Sequence, residues 1–273
     1  MCRMCLGFTQ KPTDIMHQFF NSWEKRQTDG FGYYCKTSHG NEYLLKSPYN
    51  EAFKMRRGIR IFLLHCRLKT SGEKHGNGGG VENHPFLSEN QTLLLSHNGM
   101  LSGYKGLRKH LIKSFHHKFA SKVDSEVLLH LFEDYHKKYG MTVKAVKEWL
   151  RVLNKFNVTG TANVLCLNRT NMEWMAYSEG SIVVIKPLGS KDLFVGSDDV
   201  PLGDIPFFKF SLKSGYCIIG KKNKILSIEQ VGNIGSHVNN YGYYGVGSYS
   251  NVKEFGRKTT RFLKDTSNPY YNY

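Results

Sequence analysis

No stretch of the 273 residues approaches the roughly 18 consecutive apolar residues that a membrane-spanning helix needs. The start of the chain also lacks a basic segment followed by an apolar core, the mark of a secretory leader. A soluble, cytoplasmic protein with no membrane partner is the expectation. Cysteine is scarce too: Cys2, Cys5, Cys35, Cys66, Cys166 and Cys217 are scattered and lie mostly inside apolar runs. That pattern excludes a disulfide framework and suits buried thiols in a reducing compartment. Cys2 and Cys5 form a C-x-x-C, but no second pair or Cys/His cluster completes four tetrahedral ligands, so neither a metal nor a cofactor is expected. Acidic residues are the minority, 22 Asp and Glu against 38 Lys and Arg, for a net charge of +16. Such an excess can draw nucleic acid or another polyanion, yet no nucleic-acid-binding motif accompanies it.

What is present begins at Cys2. If Met1 is removed, one residue carries both a thiol and a free α-amine, groups with reference pKa values of about 8.5 and 7.7 to 8.0. A thiol needs only a nearby proton acceptor and an oxyanion stabiliser to act as a catalytic nucleophile, so Cys2 is a candidate. Residues 2–8 read as a short apolar inner strand, and Pro12-Thr13-Asp14 as a helix start. Ile15, Met16, Phe19, Phe20 and Trp23 then make a one-sided stripe of helical period that ends near Arg26.

Strands are expected at 33–37, from Ile59 into His65-Cys66-Arg67, and at 91–96. The last is expected to stop at His97-Asn98-Gly99, and polar groups where a buried strand gives way to a loop are candidate site residues. Residues 73–80 are polar and glycine-rich but lack the Lys-Ser/Thr ending of a phosphate loop. Three helices are expected next: one spanning Tyr104 to Phe119, with Leu107, Leu111, Phe115 and Phe119 four apart, one from about Asp124, and one from Thr142 to about Lys155. Six strands follow between 162 and 228. Strands, then helices, then a strand meander indicate an α+β layered domain. From Gly232 the chain turns rich in Gly, Asn, Tyr and Ser, so 2–231 reads as the domain and 232–273 as a weakly ordered basic tail.

Several short motifs occur in one order: Met1-Cys2-Arg3, Pro12-Thr13-Asp14-Ile15, Arg26-x-x-Asp29-Gly30-x-Gly32, His65-x-Arg67, Glu82-Asn83-His84-Pro85-Phe86, His97-Asn98-Gly99 with Gly103-Tyr104-Lys105, and Asp124-Ser125-Glu126. Together they resemble the class II, N-terminal-nucleophile glutamine amidotransferase family, and most of all its subgroup that includes stand-alone proteins and γ-glutamyl amidohydrolases. The resemblance covers residues 2 to about 228. It implies a four-layer αββα sandwich in which Cys2, freed of Met1, attacks a γ-carboxamide and forms a thioester.

By the same resemblance Asn98 and the Gly99 backbone N–H form the oxyanion hole. Arg67 holds the substrate α-carboxylate, Asp124 its α-ammonium, and Thr70 lines the pocket. Arg26 and Asp29 support the nucleophile strand, and His65, His84 and His97 fix loops by hydrogen bonds. Without the motifs around them, Arg67 reads as a strand-end surface charge and Asp124 as a helix cap. Arg3 and Leu68 depart from many synthase-type members. The expected activity is hydrolysis of glutamine to glutamate and ammonia, with the ammonia either passed to a separate synthase subunit or simply released. The alternatives are a γ-glutamyl amidohydrolase and an inert basic scaffold that binds nucleic acid.

Overall fold

A computed structural model describes residues 2–27, 29–68, 80, 82–197 and 206–235. The chain opens with β1 (Arg3–Thr13), α1 (Ile15–Glu24), β2 (Phe31–Thr37), β3 (Glu42–Ser47), β4 (Ile59–Cys66), β5 (Phe86–Leu87) and β6 (Leu93–Ser102). Helices α2 (Tyr104–Phe115), α3 (Asp124–Tyr139) and α4 (Val143–Lys155) follow. The second half adds β7 (Thr159–Asn168), β8 (Glu173–Ser178), β9 (Ile182–Pro187), β10 (Leu193–Gly196), β11 (Phe207–Leu212), β12 (Tyr216–Lys221) and β13 (Lys224–Gln230). No helix among the described residues is long and apolar enough to cross a membrane.

The strands form two sheets, a seven-stranded one ordered β11-β9-β10-β1-β4-β2-β3 and a six-stranded one ordered β13-β12-β8-β7-β6-β5. Successive side chains of a strand point to opposite faces, and the apolar residues follow that rule. Met4, Leu6 and Phe8 of β1 and Leu63 of β4 meet Leu94, Leu165, Leu167 and Trp174 in the core between the sheets. Cys5, Phe62 and Leu64 point the other way and are covered by Met16, Phe19, Phe20 and Trp23 of α1. Leu93, Leu95, Val164 and Cys166 face outward from the second sheet, under Leu128, Phe132, Trp149 and Leu150 of α3 and α4. The layers therefore run helix, sheet, sheet, helix: the αββα sandwich.

Three expectations are corrected. Strand β6 does not stop at His97-Asn98-Gly99 but runs on to Ser102, because β7 pairs with it throughout, Gly99 opposite Ala162 and Ser102 opposite Thr159. Helix α2 ends at Phe115, with His116 left-handed at φ 60°. Phe115 is consequently exposed rather than packed. Finally β3 and β11, both at the edges of the first sheet, add strands that the apolar pattern does not reveal.

The last described residues still belong to the domain's packing. The Ile234 N–H donates to Glu179 Oε1 at 2.8 Å, and its side chain is buried against the helical layer. The rest of the expected tail, 236–273, lies outside the described residues, as do Thr70 and most of the glycine-rich loop.

Candidate functional site

Strand parity places the site. Met4 of β1 faces the second sheet, so Cys2, two residues earlier, sits on the same side. Leu63 of β4 faces the same gap, which puts His65 and Arg67 in line with it. From the opposite sheet Leu94 faces the gap, and Ser96 and Asn98 share its parity. The polar residues thus converge at one end of the inter-sheet core.

Direct contacts tie that end together. Asn98 Nδ2 donates to the Cys2 carbonyl oxygen at 2.9 Å, a bond from one sheet to the other. The Cys2 thiol donates to the Leu68 carbonyl and accepts from the Leu68 N–H, both at 3.4 Å. Because the sulfur meets only the backbone of Leu68 in these bonds, the departure from the family pattern there does not disturb them. Burial raises the Cys2 pKa, and the Leu68 backbone bond and the Arg67 charge oppose the rise.

Arg67 follows the end of β4. Its guanidinium donates to Asn83 Oδ1 at 3.3 Å and to Glu82 Oε2 at 3.4 Å. Asn83 is itself anchored, its Nδ2 donating to the Ser47 carbonyl at 2.6 Å. The Arg67 fork is therefore aimed by neighbouring side chains, unlike a free surface charge. Asp29 is joined to the same segment, its N–H donating to the Arg67 carbonyl at 3.2 Å. Arg26 is exposed in the turn after α1, and among the described residues its side chain makes no hydrogen bond or ion pair to the nucleophile strand.

Asp124 opens α3 as its first residue. Oδ1 accepts the Ser125 N–H at 2.8 Å, and Oδ2 accepts the Leu101 N–H at 2.8 Å. The second bond ties α3 to β6 three residues beyond Asn98. His97 strengthens this joint: Nδ1 lies 3.0 Å from Ser125 Oγ and Nε2 lies 3.3 Å from the Thr161 carbonyl oxygen. A Cβ at Gly99 would run into that same Thr161 oxygen and lie 2.7 Å from His97 Nε2. The need for glycine thus comes from strand β7, independently of any substrate.

His84 corrects an expectation, since its ring makes no hydrogen bond among the described residues. It is buried 4.2 Å from the His65 ring, and His65 in turn faces the His97 backbone. Burial, with the charges of Arg67 and His97, drives the His65 pKa down to about 3, and burial drives His84 far down as well. Both are neutral in the native state, whereas the unfolded chain takes up protons on them near pH 6.5. Stability contributed here is complete above the unfolded pKa and is lost progressively as pH falls below about 6.5. Denaturant unfolding at pH 7 and pH 5 checks this: His65→Leu should lose less stability on acidification than the unaltered chain.

One contributor carries no signal in the sequence, and another stands in a motif without a role of its own. Asn163 lies opposite Asn98 across the β6–β7 ladder, and its Nδ2 donates to the Asn98 carbonyl at 3.3 Å, holding the backbone from which the Asn98 amide reaches Cys2. Ser125 joins Asp124 to His97. Only the strand pairing and the helix docking bring these residues to the site, so no local signal could have found Asn163.

The chain is similar to known proteins in keeping with this geometry. Residues 65–153 match the model of the glutamine amidotransferase domain. Glutamine–fructose-6-phosphate aminotransferase of Helicobacter pylori is 31% identical over 137 residues, 50% of this chain and 21% of that protein. Its counterpart in Methanocaldococcus jannaschii is 29% identical over 167 residues, 58% of this chain and 15% of that protein. The chain therefore spans about a fifth or less of the length of these relatives. In fold, glutamine phosphoribosylpyrophosphate amidotransferase from B. subtilis superimposes with a TM-score of 0.63 at 20% identity, over 85% of this chain and 50% of that one. The matched segment, the relatives and the shared sandwich together make this chain similar to the class II, N-terminal-nucleophile glutamine amidotransferases.

Proposed function

We propose that the domain hydrolyses the γ-carboxamide of glutamine through a Cys2 thioester, releasing glutamate and ammonia. The observation that carries this reading is the Asn98 amide hydrogen-bonded at 2.9 Å to the Cys2 carbonyl, with the sulfur set against the Leu68 backbone next to Arg67. With Met1 gone, the Cys2 α-amine takes the thiol proton and later passes it to the leaving nitrogen. Asn98 and the Gly99 N–H stabilise the oxyanion of each tetrahedral intermediate. Arg67 meets the α-carboxylate of the bound glutamine by two parallel bonds, and Asp124 meets its α-ammonium. Thr70 adds a polar wall. Asp29 and His97 position the nucleophile strand and β6, and Arg26 flanks them.

In this reading the domain extends from residue 2 through the packed residues up to 235, and the ammonia passes to a synthase unit or is released. The assay is ammonia release from glutamine, run beside amine release from γ-glutamyl dipeptides. Rapid dipeptide cleavage without ammonia from glutamine would replace this reading with that of a γ-glutamyl amidohydrolase. Arg67→Lys keeps the charge but loses the planar fork, so KM for glutamine should rise roughly 10- to 100-fold while kcat changes less. Steady-state kinetics reads this split, and an unchanged KM would remove Arg67 from the substrate site.

A further inference from the structure

A second polar cluster lies on the helical layer. His117, in the segment after α2, and His130, on α3, are buried, and their Nδ1 atoms are 3.1 Å apart. The outer nitrogens face acids: His117 Nε2 is 3.1 Å from Asp134 Oδ2, and His130 Nε2 is 3.8 Å from Glu126 Oε1. Glu126 is a carboxylate. Burial opposes its ionisation, but bonds from His130, the Ser121 side chain and the Ala120 and Ser121 N–H groups hold its pKa down to about 2. A carboxylate only accepts, so each Nε2 is placed to donate outward and each Nδ1 is turned inward. The two Nδ1 atoms thus face each other at 3.1 Å, a separation at which their lone pairs repel unless a proton or a metal cation lies between them.

Glu89 closes the group. Its Oε2 is 3.6 Å from His117 Nδ1, and one donor atom from each of Glu89, His117 and His130 falls within 4.8 Å of the others. Glu133 Oε2 stands 4.0 Å from His130 Nδ1, adding a further negative charge, with Lys137 as its ion-pair partner at 3.5 Å. Four carboxylates around the two imidazoles make a field that favours a cation. Metal-bonded nitrogens and oxygens at about 2.0 to 2.2 Å from a tetrahedral ion sit about 3.4 Å apart, between the 3.1 Å from His117 to His130 and the 3.6 Å from Glu89 to His117. The carboxylates behind both Nε2 atoms supply the outer hydrogen bonds that orient imidazole ligands.

We propose that Glu89, His117 and His130 bind a divalent cation of the zinc type, two imidazoles and one carboxylate with a fourth position for water. The ion fastens the segment after α2 to α3, the helix that begins at Asp124. It stands apart from the Cys2 chemistry, so its presence or absence does not depend on the proposed glutaminase reaction.

The experiment uses the full chain, stripped with chelator and then titrated with zinc or cobalt. Expected are one metal per chain by elemental analysis and a Tm rise of about 5 to 10 °C at a hundredfold excess over Kd. The cobalt form should show visible ligand-field bands without the near-ultraviolet sulfur charge-transfer band that cysteine coordination would give. His117→Asn should abolish these effects. Glu89→Gln, an exposed and nearly isosteric change, should weaken binding at least tenfold even if the histidine variant fails to fold. A chain that takes up no metal, a cobalt spectrum dominated by thiolate, or binding unchanged in Glu89→Gln would overturn the site. The two histidines would then share a proton instead.

Discussion

Cys2→Ala is expected to lower glutamine turnover by about ten-thousandfold or more while leaving the protein folded. Alanine keeps the α-amine and the backbone carbonyl that Asn98 holds at 2.9 Å, so only the nucleophile is lost. An enzyme whose covalent step has no attacking atom retains only what binding and the oxyanion donors provide. The structural loss is small by comparison. The sulfur sits at the open end of the inter-sheet core, half-buried, and its hydrogen bonds are two long ones of 3.4 Å to Leu68. An unchanged melting temperature with abolished ammonia release is the outcome sought. Substantial residual turnover in Cys2→Ala would show that another group carries the reaction.

Asn98→Ala has the second largest expected effect, a fall in kcat of about 10² to 10³ with little change in KM. The side chain reaches from β6 across to Cys2, and its amide has two N–H bonds to give. One holds the Cys2 carbonyl at 2.9 Å, and the other remains for the charge that develops on the substrate oxygen. Because that charge exists only in the transition state, the loss falls on kcat. A variant with raised KM and unaltered kcat would make Asn98 a ground-state binding group instead. Asn163→Ala should reproduce part of the defect, since it frees the Asn98 backbone without removing the amide.

Much of the sandwich was legible because its inner strands are short, nearly continuous apolar runs. Met4-Cys5-Leu6 and Leu93-Leu94-Leu95 are apolar throughout, which marks strands buried on both faces, while which side meets which layer is seen only in the structure. The α1 stripe is equally plain, with Met16, Phe19, Phe20 and Trp23 all buried. Edge strands were not legible. Every side chain of β11 except Leu212 is at least partly exposed, so burial imposed little apolar pattern on it. The end of α2 was misread for a different reason. The fourfold spacing of Phe115 and Phe119 favours continuing the helix, but the Lys118 N–H goes to Glu89 and the Ala120 and Ser121 N–H groups go to Glu126. Side-chain carboxylates thus replace the carbonyls that another helical turn would have supplied.

The site was legible as a set of motifs but not as a geometry. His97-Asn98-Gly99 stands out in the sequence, yet its residues divide their work by strand parity: Asn98 turns toward Cys2 while His97 turns toward Ser125 and α3. The Glu89, His117 and His130 group was invisible because its members lie far apart in sequence, and the sequence reading, which looked for zinc ligands around Cys2 and Cys5, expected no metal at all.

The central claim is that a freed Cys2 is the nucleophile, and intact-mass analysis after reaction with a glutamine-like electrophile tests it most directly. The account predicts a chain lacking Met1 that carries one adduct, mapped by fragmentation to Cys2, with ammonia release lost in step with labelling. A protein that keeps Met1 and still turns over glutamine, or an adduct on any of the other five cysteines with Cys2 unmodified, would contradict it.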